Sequence, residues 1–232
     1  MKWCLITFLI VIIGHITGVL MSHGAENIEK GTYFIRDMFY FGHEKSLSAL
    51  YSAALFIILS CFFRAIGEHE GNFKKQWFLI SYIAIFLACD EWFAIHDASL
   101  NIYGMGPLNV PVWVWVYGGL SLVLLLMLIP FLKSMPRFLM QSLIISGAVY
   151  ISGSAIMEVV TYSYTNTNSI FQNIGWFFED SLEMLGVLIM IMASIIWFKN
   201  QGIEEFKFKR WPTIVISLIG LADLIVSYWV AI

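Results

Sequence analysis

Charged residues are scarce in this chain. They make up 12% of the 232 residues, about half the share of a typical soluble domain, while 59% are hydrophobic and mean hydropathy is +0.80. This balance leaves too little polar surface for a water-soluble fold and predicts an integral membrane protein in contact with the lipid bilayer. The net charge is −3 and no block of basic residues is present, which argues against nucleic acid as a partner.

Cysteine and several catalytic motifs are also missing or sparse. The three cysteines, Cys4, Cys61 and Cys89, are far apart and odd in number, which argues against a disulfide framework or a zinc motif. The chain has no Gly-Lys-Ser/Thr phosphate loop and no Gly-x-Ser-x-Gly nucleophile turn. The last apolar segment has neither a lysine for a retinal Schiff base nor the His-x-x-x-His of ceramidase-like hydrolases, so these classes are not supported.

Long apolar runs dominate what is present. A membrane-spanning helix needs about 20 apolar residues, and backbone polar groups in lipid must be satisfied within the segment, which favours helices. We therefore expect an all-α polytopic membrane helix bundle of about seven transmembrane helices, with residues 1–232 as a single integral membrane domain. The predicted segments are Trp3–Met21, Ser46–Phe63, Trp77–His96, Val110–Leu132, Phe138–Tyr162, Asn173–Phe198 and Trp211–Ala231.

Lysine and arginine indicate the orientation of these segments. Ten of the 13 fall at the N-terminus or in the loops after the second, fourth and sixth segments, and only Lys30, Arg36 and Lys45 fall on the other side. Cytoplasmic loops carry the excess of positive charge. We therefore expect a cytoplasmic N-terminus and a C-terminus outside.

Acidic residues interrupt three of the apolar segments. A charge in hydrocarbon costs at least about 2.5–3.5 kcal/mol, so such acids need a partner, a proton or water. With the predicted topology, all seven acids fall within about 10–15 Å of the outer surface, at about 1.5 Å per helical residue. They are Asp90, Glu91 and Asp97 in the third segment, Glu158 in the fifth, and Glu179, Asp180 and Glu183 in the sixth.

Helical spacing predicts that these acids meet. Asp90 and Asp97 are seven residues apart and share a helix face, and Glu179 and Glu183 are four apart. No Lys or Arg is expected beside them, so either some acids are protonated or a cation is bound. Carboxylates with an imidazole suit Fe, Mn or Zn. We therefore expect a divalent metal ion, with Asp97 or Asp180 as the catalytic or orienting residue. The predicted ligands are Asp90, Glu91, His96, Glu158, Glu179 and Glu183.

Two motifs frame a Gly/Ser-rich helix that ends at Glu158: Asp90-Glu91-x4-His96-Asp97 before it and Glu179-Asp180-x2-Glu183-Met184-x-Gly186 after it. This arrangement resembles that of an uncharacterised family of bacterial multi-pass membrane proteins. The resemblance covers most of the chain and implies a bacterial inner-membrane protein. It implies no particular activity.

Three functions fit these patterns. The first is a metal-dependent membrane enzyme acting on a lipid or lipid-linked substrate, since the acids face the outer leaflet. The second is a proton- or cation-coupled transporter or channel, in which Asp223 of the last segment would continue a path. The third is a structural or partner-binding membrane protein in which a protonated acid network holds helices together.

Overall fold

The computed structural model describes residues 2–23, 39, 41, 46–164 and 169–203. These residues form helices and one isolated β-bridge, with no strand. The helices are α1 (Lys2–His23), α2 (Leu47–Glu70), α3 (Lys74–Phe93), α4 (Ile95–Tyr103), α5 (Val112–Ser134), α6 (Arg137–Ile151), α7 (Glu158–Tyr164) and α8 (Ser169–Asn200), with a 3₁₀ turn at Pro107–Asn109 and a π-helical turn at Ser152–Met157.

Four helical stretches of the described residues are long and apolar enough to cross a membrane: Leu47–Glu70, Val112–Ser134, Arg137–Thr161 and Phe171–Asn200. They confirm a membrane helix bundle at the second, fourth, fifth and sixth predicted segments. α1 is helical as predicted, and its apolar stretch Leu5–Thr17 is shorter. α3 is helical but is not among the four, and its apolar centre is flanked by Lys74 and Lys75 at one end and by Asp90 and Glu91 at the other. The seventh predicted segment, Trp211–Ala231 with Asp223, lies outside the described residues.

α8 is the helix around which the bundle is built, since it packs against both α2 and α6, and α2 in turn packs along α3. Phe56 and Phe62 of α2 and Met184, Met190 and Ile191 of α8 are buried in the core between them. Burying such side chains contributes about 1.5–3 kcal/mol each in water, and in lipid the gain comes from close packing instead.

Small polar residues link these helices across their interfaces. The Ser60 and Ser81 hydroxyls join α2 to α3 at 2.9 Å, and the Ser146 hydroxyl of α6 donates to the Gly186 carbonyl of α8 at 2.8 Å. A Cβ atom added to Gly186 would lie 2.8 Å from the Ser146 carbonyl oxygen, so the backbones of α6 and α8 approach closely because this residue is glycine. Such contacts are typical of helix pairs in membranes.

The third predicted segment is not one straight helix. α3 ends at Phe93, Ala94 adopts left-handed dihedral angles (φ 47°, ψ 50°), and α4 begins at Ile95. The expectation that Asp90 and Asp97 share a face of a continuous helix is therefore wrong, because the break at Ala94 changes the direction of the chain between them. The side chain of Asp97 lies outside the described part of the structure.

The basic residues of the described chain gather at one end of the bundle. Trp197 near the end of α8 contacts His69 near the end of α2, with ring centroids 5.5 Å apart, and Phe131 near the end of α5 contacts Trp77 near the start of α3 at 5.0 Å. These are the helix ends that carry the Lys and Arg residues Arg64, Lys74, Lys75, Lys133, Arg137 and Lys199. Lys2 begins α1, whose other half carries His15 beside Phe177 of α8.

Candidate functional site: an acid–histidine cluster

The first half of the site consists of Asp90, His96, Trp113 and Tyr117, and Asp90 lies at its centre. It is 4% exposed, its Oδ2 lies 2.9 Å from His96 Nδ1, and its Oδ1 accepts a hydrogen bond from the Tyr117 hydroxyl of α5 at 3.0 Å. In a straight helix, residues six apart lie on different faces. The break at Ala94 is therefore what brings His96 back onto Asp90.

Aromatic side chains of α5 close this half of the site. The Trp113 ring lies 5.1 Å from the His96 ring and 5.6 Å from the Tyr117 ring. Trp113 is buried, and its indole Nε1 has no hydrogen-bond partner among the described residues. An unsatisfied buried donor costs about 1–3 kcal/mol, so this N–H identifies a place where a ligand oxygen or water would bind favourably.

Glu91 lies at the junction between the two halves. The Tyr150 hydroxyl of α6 is 3.4 Å from Glu91 Oε1, a long hydrogen bond, and the Ser52 hydroxyl of α2 lies near the same carboxyl, although it makes no hydrogen bond of good geometry. Asp90 and His96 are its electrostatic neighbours. Glu91 thus faces the interior where α2, α3 and α6 meet.

Three glutamates, Glu158, Glu179 and Glu183, form the second half together with Asp180. Glu158, at the start of α7, is 6% exposed, and its carboxyl is an electrostatic neighbour of the Glu179 carboxyl of α8. Glu183 lies close enough to Glu91, Asp180 and Glu158 to interact with all of them electrostatically. The predicted convergence of three helices on one acidic site is therefore found for Asp90, Glu91, His96, Glu158, Glu179, Asp180 and Glu183.

A π-helical turn positions Glu158 beside the other acids of the site. Residues Ser152–Met157 form the wider turn immediately before Glu158, and such turns are frequent at functional sites. Gly153 allows the turn to lie against α8, since a Cβ atom there would be 2.6 Å from the Glu179 carbonyl oxygen and 2.9 Å from Glu183 Cγ. The Ser152 and Ser154 hydroxyls bond back to the carbonyls of Ala148 and Tyr150 at 2.7 and 3.2 Å.

Two other histidines of the described residues contact aromatic side chains. His15 is buried, accepts a hydrogen bond at Nδ1 from the Phe41 backbone N–H at 3.0 Å, and stacks on Phe41 with centroids 4.3 Å apart. It therefore serves the packing of α1. His69 lies at the basic end of the bundle, against Trp197. His23 is described only as the last residue of α1, and His43 lies outside the described residues.

Sequence reasoning missed the hydroxyl groups of the site. Tyr117 and Trp113 lie near the start of a predicted segment, where aromatic residues commonly mark the membrane interface, and no sequence motif singles out Tyr150 or Ser52. The available signal was position, because Tyr150 lies between Gly147 and Gly153, away from the ends of its segment. A tyrosine placed there needs a partner for its hydroxyl.

No three His, Cys, Asp or Glu side chains of the described residues converge as a group that could hold a metal ion. For one cation to bind several of these acids, side chains such as Glu158 and Glu179 would have to rearrange around the ion.

These features define an all-helical membrane protein with a buried acid–histidine cluster between its helices. Residues 3–198 match the family described as a domain of unknown function, DUF8692, and the chain belongs to that family. No curated protein and no solved structure is detectably similar to the chain.

Proposed function

We propose that the protein is a metal-dependent membrane enzyme that acts on a lipid or lipid-linked substrate at the acid–histidine cluster. The observation that supports it is the charge balance: five carboxyls, those of Asp90, Glu91, Glu158, Glu179 and Glu183, are electrostatic neighbours. The Lys and Arg side chains of the described helices belong to the opposite end. Only protons or a bound cation can balance these acids there.

The geometry suggests a division of roles among the predicted ligands. Both Asp90 oxygens face hydrogen-bonding groups, so Asp90 is better suited to orient His96 than to ligate metal, as acids behind metal-bound histidines commonly do. Glu91, His96, Glu158, Glu179 and Glu183 would then hold Fe, Mn or Zn. Asp180, beside Glu179 and Glu183, or Asp97 would orient the ligands or act as a base.

The enzymatic part of the proposal is tested in nanodiscs of bacterial polar lipids. Purified protein is loaded with Fe²⁺, Mn²⁺ or Zn²⁺, and lipid composition is followed by mass spectrometry. Glu183→Gln should abolish any time-dependent change, while Glu68→Gln, an exposed carboxyl paired with Arg64 at the basic end (3.6 Å), should preserve it. Equal lipid profiles for wild type and Glu183→Gln under all three metals would count against this activity.

A proton-carrying network in a transporter is the second candidate. The closeness of the Glu158 and Glu179 carboxyls supports it, because two neighbouring carboxyls away from water favour a state in which one of them holds a proton. In proteoliposomes with an internal pH dye, this function predicts proton flux that Glu179→Gln lowers at least tenfold. Absence of flux would contradict the transporter function and favour a structural role for the acid network. In that case Glu179→Gln would mainly lower the unfolding temperature.

For the whole chain we propose seven spanning helices, a cytoplasmic N-terminus, an outer C-terminus and a place in a bacterial inner membrane. The clustering of basic residues at one end of the bundle supports this orientation. A cysteine at Asn72, in the exposed turn between α2 and α3, should react with a membrane-impermeant maleimide only after cells are lysed. Labelling in intact cells would reverse the orientation.

A further inference from the structure

The segment between α4 and α5 is an ordered loop, although it contains few side chains that favour water. Met105 and Pro111 form a β-bridge, the Gly106 N–H donates to the Val110 carbonyl at 2.7 Å, and the Val112 N–H donates to the Gly104 carbonyl at 3.2 Å. We call residues 102–111, which are the last two residues of α4 and the segment that follows it, the apolar loop. Its backbone hydrogen bonds hold it in a fixed shape directly before α5.

Large apolar side chains project from this loop. Ile102 is 73% exposed, Tyr103 70% and Leu108 86%. Leu108 also has left-handed dihedral angles (φ 59°, ψ 22°), which are unfavourable for an L-residue. A leucine that is both strained and exposed has no gain in water, where glycine or asparagine would serve the turn better. Contact with hydrocarbon would compensate for both costs, since moving a leucine side chain out of water is favourable.

The apolar loop is continuous with a surface that already faces lipid. Between Ala98 and Leu132 the sequence has no Asp, Glu, Lys, Arg or His. α5 begins directly after the loop, and only 6% of the most apolar stretch of α5 is buried inside the protein. Trp115, 48% exposed, lies beside Gly106, where a Cβ atom would be 3.2 Å from its ring. The rings of Tyr103 and Trp115 are amphipathic aromatic groups of the kind that mark the membrane interface.

We propose that the apolar loop dips into the bilayer leaflet on the acid–histidine side of the bundle, with Leu108 among the acyl chains. The partner of this surface is the lipid itself. α4 begins beside His96 and ends in the loop, so the loop would fix the edge of the site against lipid rather than water. The inference concerns this surface alone and stands whether or not the cluster binds metal.

Spin-label accessibility tests the proposal in the full chain. In a variant with Cys4, Cys61 and Cys89 replaced by alanine, single cysteines at Leu108 and Ile102 carry a nitroxide in phosphatidylethanolamine/phosphatidylglycerol vesicles. Leu122, which is 57% exposed in the middle of α5, is the lipid control, and exposed Asn72 is the water control. Collisions with oxygen and with a nickel chelate are then compared by power saturation.

At Leu108 we expect oxygen collisions comparable to those at Leu122, and nickel-chelate collisions several-fold below those at Asn72. Nickel access equal to that at Asn72 would place the loop in water and overturn the proposal. Low access to both reagents would show that protein covers the loop, which overturns it equally. The label at Ile102 is a control for local distortion caused by replacing Leu108, because Ile102 lies outside the left-handed turn.

Discussion

Asp90 is held through both carboxylate oxygens, by Tyr117 from α5 and by His96 from α4. An ionised carboxylate only accepts hydrogen bonds, so with Asp90 ionised the proton between Asp90 and His96 belongs to Nδ1 of the imidazole. This leaves Nε2 of a neutral His96 with its lone pair, the form in which histidine binds metal or takes a proton. Asp90 therefore determines the chemical character of a neighbour as well as its position.

Replacing Asp90 with leucine should change the tautomer of His96. In ¹⁵N-histidine-labelled protein at about pH 8, wild type is expected to show a protonated Nδ1, because a hydrogen bond to a charged acceptor is worth about 1.5–3 kcal/mol. Asp90→Leu removes that acceptor and should move the proton largely to Nε2, as read from the imidazole nitrogen shifts.

Tyr117→Phe is the matched control, since it removes the other hydrogen bond to Asp90 and leaves the His96 contact in place. It should keep the wild-type tautomer. Assignment of the His96 signals follows from their loss in His96→Gln. An unchanged tautomer in Asp90→Leu would show that Asp90 does not set the state of His96.

Gly153 controls how closely the π-helical turn approaches α8. Gly153→Ala would bring a Cβ atom to 2.6 Å from the Glu179 carbonyl oxygen, and overpacking of this kind costs about 1–3 kcal/mol. The unfolding temperature in detergent should fall by several degrees. Gly147→Ala in α6 meets nothing within 4 Å and should be neutral or slightly stabilising, since alanine favours helix over glycine. Equal effects of the two changes would contradict the close packing.

At the scale of elements, two departures from regular helix shape the site. One is the left-handed residue Ala94 between α3 and α4, and the other is the π-helical turn at Ser152–Met157. The sequence predicted which segments carry the acids and that the segments meet, because the lengths of apolar runs and the positions of charged residues follow directly from the order of residues. It did not predict these two departures, since neither contains proline and each depends on packing against a neighbouring helix.

Ala94 gives the break a direct test. Because an L-residue in left-handed geometry costs about 1–2 kcal/mol and glycine does not, Ala94→Gly should raise the free energy of unfolding by roughly 1 kcal/mol. Ala94→Val should lower it by more than that, because a branched side chain is still worse in this geometry. Ala98→Gly, within α4, is the control and should destabilise by about 0.5–1 kcal/mol. Destabilisation by both glycine variants would mean that α3 and α4 are continuous.

At the scale of the whole molecule, charge is divided between the two ends of the bundle. The basic residues follow the helix ends near Trp197 and Trp77, and the acids occupy the helices towards the opposite end. Composition and the Lys/Arg pattern were enough to predict this division. The identity of the counter-charge was beyond sequence reasoning, because carboxyl clusters accept protons as readily as metal ions when their side chains can rearrange.

The most direct measurement is the metal content of protein purified in mild detergent without chelator, by mass spectrometry, beside Glu183→Gln and Glu68→Gln. The account predicts about one or two equivalents of Fe, Mn or Zn in wild type and in Glu68→Gln, and a loss of most of it in Glu183→Gln, which faces the other acids. Folded wild-type protein that holds no metal, even after reconstitution with each of the three ions, would contradict it.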